Sequence, residues 1–99
     1  MSMVPVEIGE DAMLWFTPID DRHRPTGNCR HFTPSGVVGV ATGLFICGRD
    51  KGPVILHRCD ADWVSLADTW HETVAEAKRQ AEFEYAGSQV TWQRPKVQA

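Results

Sequence analysis

The side chains best suited to metal or nucleophilic chemistry in this 99-residue chain are its three cysteines and four histidines. Cys29-x-His31, Cys47 and His57-x-Cys59 are possible soft ligands. On one strand, His57 and Cys59 would point to the same face, and Cys47 would lie across a hairpin from them. Structural zinc sites are marked by tight Cys-x2–4-Cys or similar His pairs, which these spacings lack. No metal is therefore expected, and the cysteines read as small buried hydrophobes. As a nucleophile–base pair, Cys29 and His31 lack a third group that would orient the base.

Other motifs fail at named positions. His71-Glu72 opens like the zinc-protease helix His-Glu-x-x-His, but the second histidine would fall on Ala75. Asp60-x-Asp62 begins like a calcium loop, yet Val64 stands where an oxygen ligand is needed and Ser65 where glycine is required. The pair reads better as a turn closed by aspartate side chains. Gly36, Gly39 and Gly43 match neither phosphate-binding glycine pattern, and no Gly-x-Ser-x-Gly elbow occurs. No catalytic residue and no cofactor are assigned. What survives is a polar group at a strand-to-helix junction, Asp68 and His71 with His57 or Cys59. There a buried Asp beside a His would support a small enzyme or ligand site.

The remaining signal is aromatic. Four tryptophans, Trp15, Trp63, Trp70 and Trp92, are many for this length. Met13-Leu14-Trp15-Phe16 is apolar on both faces and requires cover on both sides. Trp15, Trp63, Trp70 and Phe83 are the candidate interface contacts, with the Arg22–His31 loop as a second patch.

These side chains need elements to hold them. Thr73-Val-Ala-Glu76 is a capping box, and good helix formers run from Val74 to Ala86 before Gly87 supplies a left-handed stop. At 100° per residue Val74, Ala77, Ala81 and Tyr85 share one stripe about 80° wide, with Phe83 almost opposite. Strands are expected at Met13–Thr17, about Val40–Cys47, Val54–Cys59, Trp63–His71 and Gln89–Gln93. A glycine-bounded turn from Gly48 to Pro53 joins the second and third. In the fourth, Val64 and Leu66 form an apolar face, and Asp68 on that face suggests a kink or an end. The order predicts an α+β domain over 1–99: a small antiparallel sheet of three to five strands with the one C-terminal helix packed on a face. Residues 19–36 form a long irregular loop, and a polar tail starts near 95.

Composition narrows the classes. Apolar residues at 42% and charged residues at 23% fit a globular domain. No apolar run approaches the ~20 residues of a bilayer span, and no secretory leader is visible, so membrane association is not expected. An odd number of cysteines without an export signal points to reduced thiols in the cytoplasm. Net charge is −3, with seven acids against Lys78 and Arg79 between Asp60 and Glu84. That region would repel phosphate, which argues against nucleic acid. Between Arg22 and His31 lie three arginines and no acid.

Asp60-Ala61-Asp62-Trp63, Asp68-Thr69-Trp70-His71-Glu72-Thr73 and Gln80-Ala81-Glu82-Phe83-Glu84-Tyr85-x-Gly87 together resemble a group of small uncharacterised bacterial proteins. The likeness covers about a third of the chain. It implies a self-contained bacterial domain and brings no activity with it. The expected function is that of a non-enzymatic domain contacting a protein partner or itself.

Overall fold

A computed structural model describes residues 7–8, 11–29, 31–33, 36–37, 39–48 and 52–95. Four strands make most of one antiparallel sheet: β1 (Asp11–Pro18), β2 (Gly43–Gly48), β3 (Val54–Cys59) and β4 (Ser65–His71), paired in that order. Glu7–Ile8 adds a short edge beside β1. One helix, α1 (Val74–Glu84), lies across a face. The architecture is the α+β sheet-and-helix arrangement that the residue pattern predicts.

The β2–β3 hairpin is fully in register from Gly43↔Cys59 to Gly48↔Val54, and its turn residues 49–51 lie outside the described set. Pairing puts Leu44, Ile46, Val54 and Leu56 on one face, where they meet Ala77, Ala81 and Tyr85 of the helix side. Burying each such side chain contributes about 1.5–3 kcal/mol. The small residues Ala77 and Ala81, 0% and 1% exposed, let the helix approach the sheet closely. Thr73 Oγ1 accepts the Glu76 amide at 3.1 Å, as a capping box requires, while the Glu76 carboxylate accepts from the Glu72 amide.

A second cluster fills the opposite face: Met13, Phe45, Cys47, Cys59 and Trp63, with Phe16 and Ile55 against it. Thus β1 is covered on both sides, Leu14 facing the helix cluster and Met13 the other. A bulge between Met13 and Trp15 in β1 puts Leu14 and Trp15 on the same, helix-facing side. Trp63 meets Phe16 edge-to-face at 5.9 Å. It lies so close over Gly43 that a Cβ there would stand 2.7 Å from the ring.

Several boundaries differ from the sequence expectation. β2 begins at Gly43, and Val40 is 62% exposed outside it. The helix stops at Glu84 because Tyr85 turns extended, and Tyr85–Ala86 pairs with Arg24–Pro25. The last strand is absent: Ser88–Val90 is a 3-10 turn, and Gln93 makes an isolated bridge to Phe16. Gly87 at φ 103° redirects the chain there, and the Arg22 carbonyl would stand 2.5 Å from a Cβ at that position. β4 runs straight through Asp68. Its irregularity lies earlier, where Leu66 is the extra residue between the Arg58↔Ala67 and Cys59↔Ser65 pairs. The 19–36 loop carries two short pairings, Arg24–Pro25 with Tyr85–Ala86 and Phe32–Thr33 with Gly36–Val37.

Candidate functional site

The turn before β4 follows the aspartate reading: Asp60 Oδ1 accepts the amides of Asp62 at 2.8 Å and Val64 at 3.0 Å. That turn and the Leu66 bulge set the facing of β4. Ala67, Thr69 and His71 pair with Arg58, Leu56 and Val54 on the helix side, and Asp68 and Trp70 pair with His57 and Ile55 on the other. The expected apolar alternation is broken at the bulge: Ser65 joins Asp68 on the His57 side, and Val64 and Trp70, each 57% exposed, and Leu66, 37%, are left uncovered. The helix had already been claimed by the opposite face, where Leu44, Ile46, Val54 and Leu56 lie. Nothing among the described residues pairs with the outer edge of β4.

The other candidate contacts fall elsewhere. Phe83 is 51% exposed on the outer side of α1. Trp63 is 6% exposed and belongs to the core, because its ring closes the face over Gly43. Trp15 is half-buried beneath two cations, Lys78 Nζ at 3.6 Å and Arg94 Cζ at 4.3 Å from the ring centroid. Burial, and then the nearby Arg94 charge, lower the Lys78 pKa.

The expected polar group divides. Asp68 and His71, three apart on a strand, face opposite sides and do not converge. His57 joins Asp68, its Nδ1 4.0 Å from Oδ2, and contacts Ser65 Oγ at 2.8 Å while its ring stacks on Phe45. His71 belongs to a different network on the helix side. Thr69 Oγ1 accepts from Arg58 Nη1 at 2.7 Å, so its own proton points to His71 Nε2, also at 2.7 Å. Burial first, and then the Arg58 charge, lower the His71 pKa, in keeping with a neutral ring that accepts at Nε2.

Arg58 and Glu84, which sequence reasoning did not single out, form the centre of that network. Arg58 is 1% exposed and Glu84 6%. The guanidinium grips the carboxylate in a fork, Nε to Oε1 at 3.1 Å and Nη2 to Oε2. Nη1 also donates to the Leu56 carbonyl, and Gln80 donates to Oε2 at 2.7 Å. Burial pushes the Glu84 carboxyl upward, but hydrogen bonds from Arg58, Gln80 and His31 and the Arg58 charge outweigh it, so its pKa stays below 4.5. Both residues had a visible signal. Arg58 alternates with Val54 and Leu56, and Glu84 lies within about 20° of Ala77 around the helix.

The basic loop brings further groups to this carboxylate. Thr26 Oγ1 and Asn28 Nδ2 donate to the Phe83 carbonyl at 2.5 and 3.1 Å, and the Thr26 amide to that of Glu84, sealing the helix end. The chain then delivers Cys29 and His31 above Glu84. His31 Nε2 is 2.8 Å from Glu84 Oε1 and 3.8 Å from Cys29 Sγ. Thiol, imidazole and carboxylate are thus assembled, but on one nitrogen. A relay needs the carboxylate on one ring nitrogen and the nucleophile on the other, so the set does not activate Cys29 as a nucleophile.

A similar constellation lies at the far end of β1. His23 Nδ1 is 3.3 Å from Asp20 Oδ1, and its Nε2 is 2.8 Å from Thr91 Oγ1. The Asp20 amide, however, donates to Nδ1 at 3.0 Å. That bond fixes the proton on Nε2, which makes His23 a donor to Thr91 and not its base. Thr91 in turn contacts Thr17 Oγ1 at 2.7 Å. Hydrogen bonds from the Arg22 side chain and amide hold the Asp20 carboxyl far below the usual range, ahead of an opposing burial effect and the Arg22 charge. The group ties β1 to the C-terminal segment.

Cys47 and Cys59 are buried and Cys29 half-buried, with no disulfide among them. Burial pushes the Cys59 thiol up to about 12, helped by Asp60 and Cys47. No protein-family model, curated protein or solved structure matches the chain. Among the described residues, no helix is long and apolar enough to cross a membrane.

Proposed function

We propose that the chain is a non-enzymatic interaction domain that binds an extended segment of a protein partner along β4. The observation that carries this reading is that Leu66 and Trp70, flanking Asp68 along an edge strand, with Val64 beside them, are all exposed. Unpaired strand edges accept another strand through backbone hydrogen bonds, and alternate side chains then set specificity. A partner strand with apolar residues opposite Leu66 and Trp70 and a basic residue opposite Asp68 complements this row.

Self-association is the less favoured form. Antiparallel pairing of β4 with itself, centred on Asp68, sets two carboxylates directly opposite, which destabilises. Three reduced thiols and the resemblance to small bacterial proteins support a bacterial cytoplasmic setting for this reading. The small-enzyme alternative loses ground because Asp68 and His71 face apart.

A photo-crosslinking residue placed at Trp70, in the full chain in its host cells, tests the idea. Discrete adducts that disappear when Leu66→Ser is added are expected. Adduct formation no stronger than from a probe at buried Phe45 would refute it, and adducts of twice the chain mass would replace the foreign partner by a second copy.

A further inference from the structure

Cys29 Sγ, His31 Nε2 and a Glu84 carboxylate oxygen all lie within 4.8 Å of one another. We propose that these three atoms bind a divalent transition-metal ion of the zinc type, pinning the 19–36 loop to the end of α1. The site is independent of the β4 surface.

The donor set selects the ion. Thiolate, imidazole and carboxylate together suit zinc or cobalt, whereas magnesium and calcium take oxygen ligands. The spacing fits. Around a tetrahedral ion with ordinary zinc bond lengths, sulfur and nitrogen stand about 3.6 Å apart and nitrogen and oxygen about 3.3 Å. The corresponding separations are 3.8 and 2.8 Å, so the imidazole and carboxylate need to part by about 0.5 Å to reach the ideal separation. The ion would take the place of the proton that now bridges them.

Supporting groups are in place. Ligating carboxylates in metal sites are themselves held by hydrogen bonds: Glu84 Oε2 is held by Arg58 and Gln80, and Oε1, which accepts from Arg58 Nε, also faces His31. Charge also balances. A neutral imidazole shifts its proton to Nδ1, the thiol releases one proton to solvent, and thiolate plus carboxylate neutralise the dication, leaving Arg58 as a supporting cation. Three protein ligands leave a fourth position for water, reached past His31, whose side chain is 17% exposed. The long loop that sequence reasoning flagged thus supplies two of the three ligands.

The test is a titration of the full chain, reduced and freed of metal by chelator, with Co²⁺ and then Zn²⁺. Expected is a near-ultraviolet thiolate-to-cobalt charge-transfer band that saturates at one ion per chain. Cys29→Ser should abolish the band, and His31→Ala should weaken affinity at least tenfold. Both variants alter loop side chains, so an unchanged melting transition in chelator shows that the fold survives, as Glu84→Gln with its buried Arg58 would not guarantee. Zinc should raise the melting temperature of the wild type and not of Cys29→Ser. No band at saturating cobalt, a band that persists in Cys29→Ser, or equal zinc stabilisation of both proteins would overturn the proposal.

Discussion

Replacing Arg58 with Met probes the buried Arg58–Glu84 ion pair, which joins β3 to the end of α1. Arg58 and Glu84 are almost fully enclosed, and removing one partner of such a pair typically costs 3–5 kcal/mol, because the other charge is left buried. Gln80 and His31 still donate to Glu84, so the lower end, about 3 kcal/mol, is expected. For a domain whose total stability is of order 5–15 kcal/mol this is a large fraction. With a urea slope of about 1.5 kcal/mol/M the midpoint should fall by about 2 M.

Urea unfolding at pH 7 in chelator, followed by tryptophan fluorescence, measures it. Arg58→Met/Glu84→Leu should recover to within about 1 kcal/mol of wild type, since an apolar pair carries no desolvation cost. The pH dependence has a fixed sign. In the wild type the Glu84 pKa lies below 4.5, so its contribution is present above that value and is lost as pH falls through the folded one. In Arg58→Met burial prevails and raises the carboxyl, so the penalty is present at pH 7 and relieved on protonation. The gap between the two proteins should therefore begin to narrow above pH 4.5, as the raised carboxyl of the variant is protonated, and narrow further below it as the wild-type contribution is lost. A single-variant loss under 1 kcal/mol at pH 7, or a gap that does not narrow in acid, would refute the reasoning.

Three further outcomes are expected. Gly87→Ala should lose about 1–3 kcal/mol by thermal denaturation, and more than Gly52→Ala, because both have φ near +100° but only at Gly87 would the Cβ meet backbone. Thr91→Val should lose about 1–3 kcal/mol, since it strips the acceptor from the buried His23 Nε2–H; nitrogen chemical shifts showing His23 protonated at Nδ1 instead would contradict the tautomer. In metal-free native protein one thiol, Cys29, should react with an aromatic disulfide reagent, and Cys47 and Cys59 only after unfolding. Raising the pH from 7 to 9 should leave Cys59 inert, its thiol standing near 12.

Much of the fold was legible because the relevant signals are local. The Thr73 cap, the Val74-Ala77-Ala81 stripe and the glycine-bounded hairpin are each determined within a few residues, and the structure contains all three, with Tyr85 joining the same cluster from an extended backbone and not from the helix. Alternation in β4 suggested an apolar face but carried no information on the Leu66 bulge that breaks it or on what covers the strand. That depended on which side of the hairpin recruited the helix. Gln89–Gln93 has strand-like residues, yet a backbone redirected at Gly87 leaves it a turn and a single bridge. At the candidate sites, Cys29 and His31 were visible as donors, whereas their meeting with Glu84 depends on a loop folding back across more than fifty residues. Arg58 and Glu84 were hidden for a simpler reason: charged residues are read as solvent-facing, and here each neutralises the other inside.

The seal on the helix end also constrains the order in which the chain can fold. Thr26 and the Phe83 carbonyl it caps are 57 residues apart, and β1 pairs with β2 across the same irregular segment. Joining such distant positions carries a loop-closure cost before any contact compensates it. The β2–β3 hairpin, closed by a short turn, needs no such search and is the natural first structure. During synthesis the apolar strand Met13–Phe16 emerges early and waits for β2, and the last turn of α1 closes late. That delay leaves Met13–Phe16 open to aggregation until β2 follows it.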